Sequence, residues 1–598
     1  MIDFFKKIEN SLIYFLFILV IILPFFEILS RYVNILSIPA NQVIVQHGTL
    51  WIGFVGAVIA ARSNRLLSIV KNPIFNRSDS FNIIRYVTHI LSASIVLILS
   101  TSYFKIIQIG IQYPSFVFPF VTEWFVQLVI PLSLISIWFY LIYLSSSNSK
   151  YRLSVFILSI LLCLLAYFIP FPTSNVYIFL FFFILLILAV WNGLPIFITL
   201  GGFSIIFYLS IPTDWSTNFE ILSSISDGAY RIVSSPTISA IPLFTLGGYI
   251  LSKSNISSRL FNFFKSAFGW FSGSTILIVV FISALFTSLT GGSGVTIIAL
   301  GGVLYPILIN EGYSKKFTLG VLTSCGSLGL LFPPSLPSII YSISAGVNPI
   351  NFFKIAFLPA IILVFSVIFY GLLKKPSNST VINFNYKNFI QCLKIVKWEL
   401  LIPVIILVSI FSGFSTLVES ASLLVLYIIL IELFIFKDLT IIDLKKVTVE
   451  ASKLIGGVLI ILGFAMGLTG YLVDAQIPLK ILNFAKDFIA SPLVFLLALN
   501  ILLLLAGSLM DIFSAILVIV PLILPLATYY GIDPIHLGII FISNLELGYI
   551  TPPVGMNLFL SSYRFDKSLS VVLRSSFPFF LIRLIGLLFI TYIPLFFY

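Results

Sequence analysis

Charge is what this chain has least of. Only 9% of its 598 residues are Asp, Glu, Lys or Arg, too few to solvate the surface of a soluble protein of that length. Cysteine is as scarce: Cys163, Cys325 and Cys392 stand far apart without paired spacing, so neither a disulfide framework nor a zinc site is encoded. The three histidines, His47, His89 and His536, form no H-E-x-x-H or comparable pair, which leaves a metalloenzyme without ligands. They also supply no Ser-His or His-Asp constellation at one depth, so an intramembrane enzyme has nothing to work with. No G-x-x-x-x-G-K-[ST] occurs, and ATP hydrolysis by a P-loop is excluded. The formal net charge of +12 lies in short clusters between apolar runs, where it reads as topology information and not as a nucleic-acid surface.

What fills the chain is apolar. Hydrophobic residues make up 60% and aromatics 16%, with 61 Phe, and apolar runs recur from end to end. Runs such as 176-VYIFLFFFILLILAVW-191 carry no period-two polarity, which sets aside a β-barrel and leaves an all-α polytopic membrane protein. Fifteen spans are expected, near 12–30, 47–61, 86–107, 124–147, 153–169, 176–191, 194–211, 238–251, 317–345, 354–373, 399–412, 417–436, 454–471, 536–562 and 577–597. The first is read as a retained span, because Glu27 and Arg31 follow it with no small-residue cleavage site. Aromatic bulk of this kind is lipid-facing filler and interfacial anchoring rather than a binding box.

The connections at 62–85 (Arg62, Arg65, Lys71, Arg77, Arg85), 150–152, 374–397 and 437–453 are basic, whereas 108–123, 170–175, 213–237 and 346–351 are nearly free of Lys and Arg. That alternation predicts a cytoplasmic N-terminus and a periplasmic C-terminus. It holds only if 272–309 enters and leaves on one side, since Lys253, Arg259 and Lys265 before it and Lys315 and Lys316 after it must share a face. Residues 272–309 are therefore expected to form a re-entrant hairpin with its tip at 290-TGGSG-294, and 492–529 a second one with its tip at 507-GSLMD-511.

An internal repeat supports this. At a fixed offset of 219 residues, Pro306 meets Pro525, Gly312 meets Gly531, Gly329 meets Gly548, Pro333 meets Pro552 and Pro334 meets Pro553. The tips obey the same offset, with Gly292 on Asp511, while the basic side swaps: Lys315 and Lys316 fall on Pro534 and Ile535, and Ala345 and Asn348 fall on Arg564 and Lys567. Copies in opposite orientations, each with a hairpin and a proline-broken helix (317–345 and 536–562), are the architecture of secondary transporters that bind substrate near the midplane. Prolines in 549-YITPPVG-555 and 328-LGLLFPPS-335 remove backbone donors and free carbonyls. Together with the hydroxyls of Thr551 and Ser335, such carbonyls could replace the hydration shell of a small cation. Left unpaired near the midplane, Asp511 would cost about 2.5–3.5 kcal/mol, which a sodium ion or a proton would relieve. Its repeat partner Gly292 is neutral, so the two cation sites are expected to differ, the one bearing Asp511 being tighter. No arginine is expected at the centre, the anion's charge being met instead by half-helix N-termini. Glu546, one turn before the second break, fits either a group behind the site or the lining of a cavity.

At these residues the sequence resembles the tripartite ATP-independent periplasmic (TRAP) transporters, in the form that fuses the small and large membrane subunits. The large-subunit pattern is matched at 238-ISAIPLFTLGGYIL-251, 290-TGGSGVTIIALGG-302, 311-EGYSKKFTLGVLTSCGSLGLLFPPS-335, 416-TLVESA-421, 530-YGIDPIHLGII-540 and 549-YITPPVGMNLF-559. The small subunit is matched more loosely, mainly at 50-LWIGFVGAVIAARSNRLLSI-69. The resemblance implies a small scaffold domain at 1–150, a connecting helix within 151–175 and a large transport domain of elevator type at 176–598. It implies sodium-coupled uptake of an organic acid anion (a carboxylate) across the bacterial inner membrane, with no cofactor beyond the coupling ion. The partner it implies is a periplasmic solute-binding protein. By position it assigns Thr290, Gly292, Ser293, Gly329, Pro333 and Ser335 to one sodium site and Gly507, Asp511, Gly548, Thr551, Pro552 and Gly555 to the other. Substrate would meet Gly291, Ser293, Ser335, Asp511, Thr551 and Asn557. Where many relatives read S-G-S-S this chain reads T-G-G-S, shifting weight to backbone carbonyls, and Glu419 in T-L-V-E-S-A fits a turn-stabilising role as well as one in transport. A stand-alone anion:sodium or anion:proton symporter of the same architecture is the alternative; it would leave 1–150 without a task.

Overall fold

A computed structural model describes residues 2–33, 40–68, 83–118, 121–168, 176–210, 218–233, 236–376, 383–486, 488–489, 491–553 and 555–596. Lys71 and Arg77 of the first basic connection, the 170–175 connection and Val554 in the second break lie outside the described residues. With no water in a bilayer to satisfy peptide groups, runs this apolar must close their hydrogen bonds within the segment, and the described chain is accordingly mostly helical. In chain order come α1 (Ile2–Val33), α2 (Asn41–Arg62), α3 (Ile83–Gln112), the short hairpin of β1 (Phe116–Phe118) and β2 (Val121–Thr122), α4 (Glu123–Gln127), α5 (Val129–Ser145), α6 (Ser149–Phe168), α7 (Val176–Trp191), α8 (Ile196–Leu209) and α9 (Asn218–Val233). These are followed by α10 (Ala240–Lys253), α11 (Ile256–Phe268), α12 (Ser274–Thr290), α13 (Ser293–Asn310), α14 (Lys315–Cys325), α15 (Leu336–Ser344), α16 (Pro349–Leu373), α17 (Tyr386–Phe411) and α18 (Leu417–Leu430), which passes into a π-helical turn. The chain closes with α19 (Ile441–Asp474), α20 (Ile477–Lys486), α21 (Pro492–Leu509), α22 (Ile512–Tyr529), α23 (Pro534–Gly548), α24 (Met556–Phe565) and α25 (Leu569–Tyr592).

Each of the fifteen expected spans falls on a helix, and the two expected broken helices fall on the pairs α14/α15 and α23/α24. Among the described residues, twelve helices are long and apolar enough to cross a membrane, and three of these, α13, α21 and α22, are arms of the expected hairpins. Sequence reading missed α9, α11 and α20. They are short and amphipathic, with too few consecutive apolar residues to register as spans.

Contacts group the chain into two compact units, Met1–Pro242 with Thr448–Pro478, and Leu243–Val447 with Leu479–Tyr598. In the first, α2 is largely enclosed, and it crosses α19 where Gly56 faces Gly456. A Cβ on Gly456 would stand 2.7 Å from the Gly56 Cα, so the two backbones can meet only because both positions lack side chains. His47 Nε2 lies 2.9 Å from the Tyr230 hydroxyl in the same unit, which gives that histidine a packing role.

The second unit carries the repeat, and the repeat is longer than the sequence coincidences. At the offset of 219, α12, α13, α14, α15 and α16 overlay α21, α22, α23, α24 and α25 with bounds agreeing within one residue, except for the longer C-terminal ends of α23 and α24; α11 overlays α20 within two residues. Even a cap recurs: Ser314 accepts from the Phe317 N–H to start α14, and its counterpart Asp533 accepts from Ile535 and His536 to start α23. The lead-in helix α11 is held by Arg259, whose Nε donates to Glu399 Oε1 at 2.8 Å and whose Nη1 donates to Asp438 Oδ2 at 2.7 Å. The guanidinium also lies 4.0 Å from the Phe436 ring centroid. Glu419 closes a capping box with Thr416 at the start of α18, which settles its turn-stabilising role.

Candidate functional site: two hairpin tips on two helix breaks

The first hairpin turns at Gly291, whose positive φ of 63° suits a residue without a Cβ, and α13 starts again at Ser293. Its tip rests on the first break. A Cβ on Gly291 would stand 2.6 Å from the Leu336 Cβ, and one on Gly329 would stand 2.5 Å from the Ser288 nitrogen, so tip and break are in backbone contact. Thr287 Oγ1 donates to the Gly326 carbonyl at 3.1 Å, and Thr290 Oγ1 lies 3.4 Å from the Gly292 carbonyl oxygen and 3.5 Å from Thr296 Oγ1. The break itself, Gly326–Ser335, is a run of tight turns in which Phe332 donates to Gly329 and Ser335 to Phe332 before α15 begins.

The second hairpin repeats the arrangement. A Cβ on Gly548 would stand 2.7 Å from the Gly507 Cα, and Gly507 and Gly548 are the positional counterparts of Ser288 and Gly329. The Gly555 N–H donates to the Ser508 carbonyl at 3.0 Å, and the Ile512 N–H donates to the Tyr549 hydroxyl at 2.8 Å. Both proline pairs, Pro333–Pro334 and Pro552–Pro553, are joined by cis peptide bonds.

The two breaks also meet each other. Ser327 Oγ donates to the Glu546 carbonyl at 3.3 Å, and these residues are counterparts at the offset of 219. Asn557 Nδ2 donates to the Thr323 carbonyl at 3.2 Å, and Thr323 Oγ1 donates to Ser561 Oγ at 2.9 Å. Each second half-helix packs on the other repeat's hairpin, α24 on α13 and α15 on α22.

The residues named from sequence therefore converge on one region of this unit, with three adjustments. Asp511 is not a free carboxylate: it caps α22, its Oδ1 accepting from the Phe513 and Ser514 N–H groups at 3.0 and 3.1 Å and its Oδ2 from Ser514 Oγ at 2.5 Å. These three bonds relieve much of the burial cost that sequence reading left to a bound cation. The Thr551 hydroxyl donates back to the Leu547 carbonyl at 2.8 Å, so its proton is already committed. The third adjustment corrects an expectation, for an arginine does stand at the centre. Arg583 of α25 is 1% exposed; its Nη2 donates to Glu546 Oε2 at 2.7 Å and its Nη1 to the Ser324 carbonyl at 3.1 Å. The interruption of an apolar span by one arginine was the available signal.

Besides Ser324 Oγ and Glu546 Oε1, the buried side-chain oxygens near the breaks that lack a hydrogen-bond partner include two more, Ser335 Oγ and Asn557 Oδ1. Both belong to the candidate set, and both can accept from a ligand or coordinate a hard cation. The two breaks differ in cover. Pro333, Pro334 and Ser335 are buried, whereas Pro552 and Pro553 are exposed and Thr551 is half-buried.

The sequence profile of the DctM component of the tripartite ATP-independent periplasmic transporters matches residues 179–596, and these contain every hairpin, break and candidate ligand above. The chain belongs to this TRAP transporter family. It is similar to the C4-dicarboxylate TRAP transporter large permease protein DctM of Pseudomonas aeruginosa, with 33% identity over 60% of this chain and 84% of the relative. With the DctM of Vibrio cholerae it shares 30% identity over 69% of this chain and 95% of that one. The isethionate TRAP transporter permease protein DctMQ of Oleidesulfovibrio alaskensis is 28% identical over 67% of this chain and 63% of its own length. This TRAP permease is thus a multi-pass protein of the bacterial inner membrane that takes up solute together with a periplasmic solute-binding protein, and its relatives are transporters, not enzymes.

Proposed function

We propose that this TRAP permease drives the inward movement of an organic acid anion with an inward sodium gradient, the anion arriving on its periplasmic solute-binding protein. The observation that carries the reading is the pair of unpartnered, buried oxygens, Ser335 Oγ and Asn557 Oδ1, at two breaks that each sit under a hairpin tip. Hard cations take oxygen ligands, and proline-broken turns present carbonyls without competing donors. The anion's charge is met without a free buried cation, because Arg583 is already neutralised by Glu546. That leaves the N-termini of α15 and α24, with the co-bound cations, to receive it. The named cargoes of the relatives, C4-dicarboxylates and isethionate, are organic acid anions, which supports the substrate class.

Residues 1–150 serve on this reading as the fused small-subunit scaffold, with α6 as the connecting helix, and the existence of a fused DctMQ relative supports that organisation. The hairpins and broken helices then move as the elevator, with the N-terminus cytoplasmic and the C-terminus periplasmic. The test is uptake into proteoliposomes by the full chain with its binding protein outside, using a panel of labelled C4-dicarboxylate, 2-oxo acid and sialic acid. Uptake should require both the binding protein and an inward sodium gradient. An unchanged rate in sodium-free, proton-buffered medium would overturn the coupling.

A further inference from the structure

Away from the breaks, a cavity of about 400 Å³ opens where three helix ends of the second unit come together: the start of α14, the end of α16 and the second turn of α25. Its wall is built of aromatic rings. Tyr313 and Phe317 stack at 5.2 Å, Phe317 lies 5.5 Å from Phe579, and Tyr370 meets Phe579 edge-on at 5.0 Å. Gly312, Ser314, Pro376, Ser575 and Pro578 complete the lining with two lysines, Lys316 and Lys374.

The charge at this place is one-sided. Lys315, Lys316, Lys374, Lys375 and Arg574 are all exposed on these helix ends, and among the described residues none of the five makes an ion pair. The carboxylate on the same loop, Glu311, is paired with Lys265, and its charge also reaches the Tyr313 hydroxyl. Tyr313 is among the lining residues, and its hydroxyl, on a side chain only 5% exposed, is buried and has no hydrogen-bond partner. A buried hydroxyl without a partner is costly unless something is there to accept from it. The N-terminus of α14 adds its free N–H groups and partial positive charge to the same mouth.

Directly along the two flanking helices the surface becomes apolar. Phe369 and Leu373 on α16 and Phe577 and Leu581 on α25 are exposed large side chains within two turns of Lys374 and Arg574, respectively. A basic pocket with an apolar apron, at helix ends that the charge pattern places on the cytoplasmic side, fits a ligand with a phosphate head and acyl tails. We infer that this cavity holds the headgroup of an anionic phospholipid of the inner leaflet, with Lys316 and Lys374 on its phosphate and the Tyr313 hydroxyl donating to it. The site is separate from the breaks and does not depend on which ion drives transport.

Native mass spectrometry of the full chain from delipidating detergent tests this, with phosphatidylglycerol, phosphatidylcholine and inorganic phosphate added in separate arms. The wild type should retain one phosphatidylglycerol per chain in preference to phosphatidylcholine. The K316A/K374A double variant should weaken that binding about thirtyfold, since each lysine at a membrane surface contributes roughly a fivefold effect. Tyr313→Phe, which keeps the ring and its stacking, should weaken it severalfold. K445A/K446A, which removes two lysines from the start of α19, should leave it unchanged. Equal retention by K316A/K374A, or equal binding of phosphatidylcholine, would overturn the site. If inorganic phosphate competes phosphatidylglycerol away at millimolar concentration, the cavity is a soluble-anion site and the lipid assignment is wrong. A melting curve of each variant in the same detergent separates loss of binding from loss of fold.

Discussion

The pair formed by Arg583 and Glu546 gives the sharpest test of how the two breaks are held. Both side chains are at most 1% exposed, their charged atoms are 2.7 Å apart, and Arg583 also donates to Ser324 and Ser327 of the other repeat. Removing one member leaves the other charged in a place without water, and such losses cost about 3–5 kcal/mol. Replacing both with apolar side chains of similar volume removes the stranded charge, and such replacements are roughly neutral or even stabilising. Arg583→Met and Glu546→Leu should therefore each melt well below the wild type, while E546L/R583M recovers most of the loss. The resulting cycle should show a coupling of at least about 3 kcal/mol, far above the ~0.5 kcal/mol within which independent sites add. Denaturant unfolding in detergent, followed by tryptophan fluorescence, supplies the four stabilities. Uptake by the double variant is the second readout: it should stay low although the protein is stable, because Ser324 and Ser327 have lost the group that positions them. Additive single losses would show that the two side chains do not act as a pair, and the account of the joined breaks would fail with them.

Other expectations concern the tips and caps. Gly548→Ala forces a Cβ to within 2.6 Å of the Gly507 carbonyl carbon, whereas Gly292→Ala meets nothing closer than 4.0 Å. The first should cut uptake in proteoliposomes by roughly tenfold or more, and the second should change it little, since overpacking costs about 1–3 kcal/mol only where atoms collide. Ser335→Ala removes an oxygen that bonds nothing in the fold, so its melting should match the wild type while its sodium half-saturation rises. Ser338→Ala breaks the 2.8 Å bond to the Leu330 carbonyl and should cost about 1 kcal/mol of stability with the sodium dependence intact. Thr416→Ala opens the capping box with Glu419 and should also cost about 1 kcal/mol, read as a lower melting temperature with uptake per folded molecule preserved.

The parts that could be read from the sequence are those written in backbone chemistry. Glycine and proline act at the position they occupy, so Gly329, Gly548, Pro333 and Pro552 declared the two breaks, and parity of the basic loops demanded the hairpins that α12/α13 and α21/α22 form. Side-chain partnerships were harder, because they depend on residues far apart. Arg583 and Glu546 are separated by 37 positions, and an arginine in the run 577–597 read as ordinary until its partner was in place. The capping role of Asp511 was more accessible, since D-I-F-S at the restart of an apolar run is a helix-start signal, but the cost of a midplane carboxylate drew attention to cations instead. The amphipathic helices α11 and α20 escaped notice because a search for spans rewards uninterrupted apolar length.

Two oppositely oriented copies of one unit bring equivalent residues together only along the axis that relates them, and the bond from Ser327 to the Glu546 carbonyl joins such a pair. Were both residues glutamate, two carboxylates would face each other in a dry centre and repel. The chain carries a serine on one side and a glutamate on the other, and it answers the glutamate with Arg583, whose counterpart in the first repeat is the apolar Val364. The guanidinium reaches into the first break through the Ser324 carbonyl and Ser327 Oγ, so the first break is tied down and, apart from the half-buried Phe332, covered, while Pro552 and Pro553 of the second lie open. The repeat thus supplies two cradles built on the same order of helices, and a buried ion pair near their axis is one of the features that make them unequal.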